Sequence, residues 1–508
     1  MTEQITSMYS WWEFAPSIAL VALAIILLMA DTFLPKFPKR AYAVAGAVGC
    51  FCAAYACWVQ ASGQYGVSAL HTWLPVLPLI ACLGCIATGI CLLLNIDYHR
   101  ITCESVNGGQ SEEGAGEFSI LPLIAAAGIC ALCNARDIVM LFVGLETVTL
   151  SSYVLVGYYR RNQGSIEAGI KYLILGALST GLLVFGAAWY FGMTGSLSID
   201  INSYLNALSG GPTQAPIIYS GFIAALCFML AAGLFKIGGA PLHTWIPDVY
   251  QGAPTPVSAF LGVASKAAGF AFLIIILQPL SDIAALQSTP EITTYPGGIA
   301  FGLAIVAIAT LLIGNLGAIP QRNAKRLLGY SSIGQAGFIL AFFQGGNCSD
   351  CGVLFYLAAY GLATLPAFCA IALVRSQRGS EEISAFRGLA RTNPRLAFLI
   401  TVCFASLAGV PLTFGFLAKL SAIFFICEPQ SAIIADWLNW TLLGVMIVCA
   451  AAGFYYYFKI IRAMYWEKPL PGDEALKLPV VTGFIITLCA VALLIIGTLP
   501  VFNARLFI

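Results

Sequence analysis

About fourteen apolar runs follow one another along this chain, most of them roughly 18–25 residues long and so able to cross about 30 Å of hydrocarbon as an α-helix. They lie near 14–34, 40–60, 74–95, 118–134, 137–159, 166–192, 216–250, 255–279, 297–319, 326–344, 351–375, 395–426, 437–463 and 478–500. No water reaches a spanning backbone, so its polar groups must be satisfied within the segment, and uninterrupted runs of this length do that as helices. The expected fold class is an all-α polytopic membrane protein. Composition excludes a soluble alternative, since 60% of the 508 residues are hydrophobic and only 9% are charged.

The net charge of +1 says nothing about partners, whereas the placement of Lys and Arg says a good deal. Eighteen of the 24 lie in or beside alternate loops at 36–40, 97–117, 160–165, 320–326, 376–395 and 459–477. Arg136 and Arg505 fall on the opposite side, and Lys171, Lys236, Lys266 and Lys419 fall inside spans. Positive loops stay in the cytoplasm, so both termini are expected outside, with membrane lipid around the spans. The run from Ile18 to Ala30 follows an acidic, aromatic N-terminus and meets Asp31 without a small-residue cleavage site, so it reads as the first span and not as a signal peptide. Most of the 17 cysteines, such as Cys50, Cys85, Cys130 and Cys369, sit in apolar runs as small hydrophobes. Cys348 and Cys351 form a C-x-x-C in an outward loop, a candidate disulfide but too few ligands for a metal.

The seventh and twelfth runs are longer than one span, and each is interrupted by a similar sequence, Gly239-Ala240-Pro241-Leu242-His243 and Gly409-Val410-Pro411-Leu412-Thr413. Proline removes a backbone donor and clashes with the preceding turn, so both are expected to be discontinuous helices. They stand five spans apart, and an odd separation makes any five-helix repeat inverted in the membrane. The expected domains are 1–117, holding three flanking spans and a polar, Gly-rich cytoplasmic loop from Ile101 to Glu117; 118–280 and 297–465, the two inverted repeats; and 466–508, the last span.

Glu146 is the one acidic residue clearly in mid-span, about ten residues into the fifth, which at about 1.5 Å per residue is near the midplane. Lys266 is equally deep in the eighth span, Lys236 precedes the first Pro break and Lys419 follows the second. An intramembrane charge costs about 3 kcal/mol on insertion scales, so such a set marks an ion or proton pathway. Burial disfavours a lysine's charge and a nearby carboxylate restores it, so moving Glu146 relative to Lys236 would switch the lysine between holding and releasing a proton. The bland alternative is a static buried ion pair that specifies packing. Lys171, His243, Asp248, Asn315, Ser331, Ser332 and Gln335 are polar companions, with Asp248 read as structural. No iron–sulfur spacing, nucleotide loop or intramembrane His pair is present in the sequence, and no redox cofactor, metal or nucleic acid is expected on the chain.

The runs Phe142 to Leu155, Glu167 to Ala177 and Lys236 to Tyr250 closely resemble the antiporter-like subunits of proton-pumping NADH:quinone oxidoreductase, complex I, and among them the subunit N group. The chain stops just after the fourteenth run, unlike subunit L, and has Lys419 where subunit M usually carries glutamate. The resemblance implies a Glu146–Lys236 pair in the first half, Lys266 as a connecting proton carrier, Lys419 as the second-half lysine, and contributions from Lys171 and His243. It implies partners in subunits M, K and J, with FMN, iron–sulfur clusters and quinone carried by other subunits. The second half lacks an acidic residue in its tenth span and a mid-span lysine in its thirteenth, so its switch is expected to be incomplete. Two rivals share these features: a subunit of a multisubunit cation/proton antiporter, and a scaffold that transmits motion without conducting protons.

Overall fold

The apolar runs all become helices. The structure, a computed structural model, describes residues 11–34, 38–62, 76–106, 115–159, 162–208, 216–286, 297–344, 350–427, 436–469 and 475–498. The first six spans are α1 (Trp11–Phe33), α2 (Lys39–Ala61), α3 (Val76–Val106), α4 (Ala115–Cys133), α5 (Ile138–Val156) and α6 (Gln163–Thr194). A short helix that hydropathy did not anticipate, α7 (Ile201–Leu208), precedes the seventh span, which is split into α8 (Pro216–Ile237) and α9 (Trp245–Gly252). Next come α10 (Thr255–Leu286), α11 (Gly297–Ala318), α12 (Ala324–Leu340), α13 (Asp350–Arg378) and the single turn α14 (Leu389–Thr392). The twelfth span is split into α15 (Pro394–Ala408) and α16 (Phe414–Cys427), and α17 (Asp436–Tyr465) and α18 (Val480–Thr498) complete the chain.

Twelve of these helices are long and apolar enough to cross a membrane singly, and α15 with α16 supplies another span from two shorter pieces. The fourteenth is α12, whose 17 residues are diluted by Lys325, Arg326, Ser331, Ser332 and Gln335 yet are mostly buried. One expectation needs correction. The polar loop predicted from Ile101 is helical as far as Val106, because no Gly or Pro interrupts the chain before Gly108 and a helix leaving hydrocarbon keeps its hydrogen bonds.

Each tie between loops joins connections at the same end of the bundle. Asp137 bridges to Ser198, and Asn323 bridges to Glu382. Arg136 holds the start of α1 through two hydrogen bonds to the Glu13 carboxylate, at 3.0 and 3.1 Å. Asn393 and Leu476 exchange hydrogen bonds across two further connections. The termini and the Cys348 partner of Cys351 lie outside the described residues.

Both breaks use the same chemistry. Gly238 ends α8 with φ 79° and Gly409 ends α15 with φ 89°, left-handed conformations that glycine adopts without penalty. The amide of Gly239 returns to the Leu234 carbonyl at 2.7 Å and that of Val410 to Ala405 at 3.0 Å, closing the helix ends. A hydroxyl then takes a backbone donor freed by each break, Thr310 from Ala240 at 2.9 Å and Ser406 from Gly415 at 3.1 Å. Between the halves runs α10, whose apolar window is entirely buried, packed on α3, α4, α5, α8 and α13. The outer faces of α6 and α17 stay largely exposed and apolar, as surfaces against lipid or neighbouring subunits must be.

Candidate functional site: a buried line of lysines

The break in the seventh span delivers Lys236 to the interior. It sits in the last turn of α8, where a cation complements the helix dipole, and is 3% exposed. Its Nζ donates to Thr149 Oγ1 at 2.9 Å, and Thr149 lies on α5 nearly one turn beyond Glu146. Glu146, half-buried, accepts from Thr180 of α6 at 2.8 Å. Among the described residues Glu146 and Lys236 form no direct ion pair; they line one small cavity together with Thr149, Ser179 and Thr180. The sequence points to a pair, and the structure interposes hydroxyls. Each charge is satisfied separately, so a modest side-chain movement exchanges the lysine's partner.

The stem of Lys236 lies against α10, where a β-carbon on Gly269 would stand 3.2 Å from its Cγ, one turn from Lys266. Lys266 is 1% exposed and reaches α12, where Nζ donates to the Ser332 carbonyl at 2.5 Å and to the Ser332 hydroxyl, over the Tyr360 ring at 5.3 Å. The ring of Tyr172 stacks on Trp245 at 4.6 Å, and among the described residues the buried hydroxyls of Tyr153, Tyr172 and Ser265 have no hydrogen-bond partner.

Among the described residues Lys419 has no carboxylate in ion-pair contact. Its Nζ donates to the Leu407 and Ala408 carbonyls at 2.9 and 2.8 Å, the free C-terminal acceptors of α15. The break in the twelfth span therefore makes its own counter-charge, since the end of a helix is a partial anion. A polar chain runs from this end toward Lys266. Gln335 also donates to the Leu407 carbonyl, at 3.3 Å, and to the Tyr457 hydroxyl at 3.3 Å, and Tyr457 is hydrogen-bonded to Ser331, the neighbour of Ser332. Tyr356 donates to Gln335 at 2.5 Å and Tyr456 to Asn315 at 3.0 Å. The companions Ser331, Ser332 and Gln335 are thus joined, and Tyr457 is a member that sequence reasoning missed. Replacing Tyr457 by Phe removes the hydroxyl shared by Ser331 and Gln335; proton transfer by the assembled protein is expected to slow, by less than the roughly hundredfold that a positioned acid–base group contributes. Rates measured in reconstituted vesicles check this.

Lys171 stands apart from the line. From the first turns of α6 it pairs with Glu167 at 2.7 Å and with Asp248 at 3.0 Å, and Asp248 also takes Arg326 at 2.6 Å. His243 lies half-buried in the break, its Nδ1 without a hydrogen-bond partner and its carbonyl accepting from Ile246. Lys325, counted above with an inner loop, is fully buried. It donates to the Ala253 carbonyl at 2.8 Å and pairs with Glu381 at 2.8 Å, which also binds Arg375. The second half thus has one lysine–carboxylate pair, placed where α12 begins and supplied by a loop. A hydropathy scan could not find it, because Glu381 arrives from 56 positions away in sequence.

Two broken spans, buried lysines at each break and a third on the helix between them define a membrane protein built to move ions or protons through its own interior. Residues 135–444 match the family model described as NADH:quinone oxidoreductase/Mrp antiporter, TM. NADH-quinone oxidoreductase subunit N of Acidithiobacillus ferrooxidans is 36% identical over 388 residues, 76% of this chain and 75% of that one. Subunit N of Anoxybacillus flavithermus is 32% identical over 97% of this chain and 95% of its own. Among solved structures, a chain of respiratory complex I from Thermus thermophilus with bound aureothin superposes with TM-score 0.72 at 29% identity, over 97% of this chain and 98% of that one. The Mrp complex from Dietzia matches in fold with TM-score 0.74 at 18% identity, over 98% and 96%. The chain belongs to the NADH:quinone oxidoreductase/Mrp antiporter membrane-subunit family, in its subunit N group.

Proposed function

We propose that this chain is the subunit N type of proton-translocating membrane-arm component of a bacterial NADH:quinone oxidoreductase. It takes protons from the cytoplasm to the outside, and quinone reduction in partner subunits supplies the drive. The observation that carries this reading is the line of buried cations, Lys236, Lys266 and Lys419, each held by hydroxyls or backbone carbonyls with no carboxylate in ion-pair contact, so that its proton is not locked in place. In this reading Glu146 biases Lys236, Lys266 carries the proton between halves, and Tyr457 with Gln335 continues the path to Lys419. Lys171 and His243 act at the inner approach. Residues 118–280 and 297–465 are the two inverted repeats. Raising one proton against 100 mV costs about 2.3 kcal/mol, which modest changes in the surroundings of a buried lysine can supply.

The chain works as part of a translocase. FMN, iron–sulfur clusters and quinone belong to other subunits, and subunits M, K and J are its neighbours, seated on exposed apolar faces such as that of α5 and α6 with lipid on the rest. The membrane is the bacterial plasma membrane, with both termini outside. A tag on this chain is expected to recover quinone-reducing subunits whose NADH oxidation acidifies the outer compartment in vesicles. Recovery of cation/proton antiporter subunits with no NADH activity would overturn the reading.

A further inference from the structure

The eight-residue helix α9 is tied to both halves of the protein by charges that touch none of the three buried lysines of the line. The Asp248 carboxylate is shared, Oδ2 taking Lys171 of α6 at 3.0 Å and Oδ1 taking Arg326 of α12 at 2.6 Å. Beside Arg326, Lys325 donates to the Ala253 carbonyl that caps α9, at 2.8 Å. Three residues before Asp248, the Trp245 indole donates to the Phe235 carbonyl at 2.9 Å, immediately ahead of Lys236. Two residues after it, the Tyr250 hydroxyl lies 3.4 Å from Ser332 Oγ, the group that holds Lys266. One short element thus reaches the surroundings of two proton carriers, and one carboxylate ties it to both α6 and α12.

We propose that Asp248 is a positioning residue: shared between Lys171 and Arg326, it holds α9 so that Trp245 and Tyr250 keep Lys236 and Lys266 in register for proton transfer. The inference rests on the proton-transfer reading above. Asp248 is 33% exposed, Arg326 32% and Lys171 43%, so the pairs add little to stability and their value lies in geometry. Each cation also has a second partner, Glu167 for Lys171 at 2.7 Å and Gln251 for Arg326 at 3.1 Å, so either can release the carboxylate without itself being left bare. The joint therefore has alternative settings, and each setting reorients α9.

The test uses the complete complex in proteoliposomes, with proton pumping and amide exchange of residues 245–252 measured together. Asp248→Asn is expected to slow pumping about threefold, the range found for residues that couple sites without contacting them, and to speed exchange in α9. Asp248→Glu is expected to restore both. If Asp248→Asn accumulates poorly, Arg326→Gln, which keeps Lys171 on the carboxylate, is expected to give the same two changes. Normal pumping in both variants, beside slow pumping in Lys236→Ala, overturns the proposal and leaves the proton-transfer reading standing. Slow pumping with unchanged exchange also overturns it, because Asp248 would then act on protons directly. Normal pumping in Lys236→Ala overturns the underlying reading instead.

Discussion

Lys236→Ala is expected to reduce proton pumping by the assembled complex about a hundredfold, the lower end of what a positioned acid–base group contributes. The residue is 3% exposed and its ammonium meets Thr149 beside the Glu146 cavity, so the substitution leaves that point of the line without its buried cation. Removing a buried charge also removes its desolvation cost, so assembly is expected to survive. Glu146→Gln keeps the hydrogen bond from Thr180 and deletes only the charge; pumping should fall with it, by less than for the lysine. Pumping at the normal rate in both variants, with normal subunit levels, would remove these residues from the pathway.

Gly415→Ala is expected to be the most damaging single-methyl change in the second half. A β-carbon there would overlap the Ser406 carbonyl oxygen, which belongs to backbone and cannot swing aside. Relief requires α16 to move off α15, and Lys419, one turn along α16, would leave the Leu407 and Ala408 carbonyls that hold it. Overpacking of this kind costs about 3 kcal/mol, enough to lower the amount of intact complex and to slow whatever assembles. Gly444→Ala is the matching control: nothing lies within 4 Å of a β-carbon on that face of α17, and wild-type levels are expected. Blue-native electrophoresis with pumping assays would separate the two.

Much of this architecture was legible in the residues. Hydropathy located all fourteen spans because burial in lipid leaves a signal 20 residues wide, and Gly-x-Pro located both breaks because the backbone itself fails there. Side-chain partners left no such signal. Thr149 and Thr180 lie in ordinary apolar helix, and only the packing of α5, α6 and α8 makes them partners of Lys236 and Glu146. Lys419 lacked a visible counter-charge because its partners are main-chain carbonyls, which any residue supplies. Tyr457 was passed over since an aromatic in a hydrophobic span reads as core, and it is core by burial. Lys325 was misplaced for the opposite reason: a lysine at a helix start reads as solvated until a loop folds a carboxylate over it. Asp248 was read as structural, and its two ion pairs agree with a fixed position.

The complete enclosure of α10 by other helices of the same chain has a consequence for biogenesis. Lys266 is covered without help from any neighbour, and Lys236 and Lys419 are nearly so, while Glu146 stays half-buried. A newly inserted copy therefore carries these three lysines already covered by its own helices, before any neighbouring subunit docks.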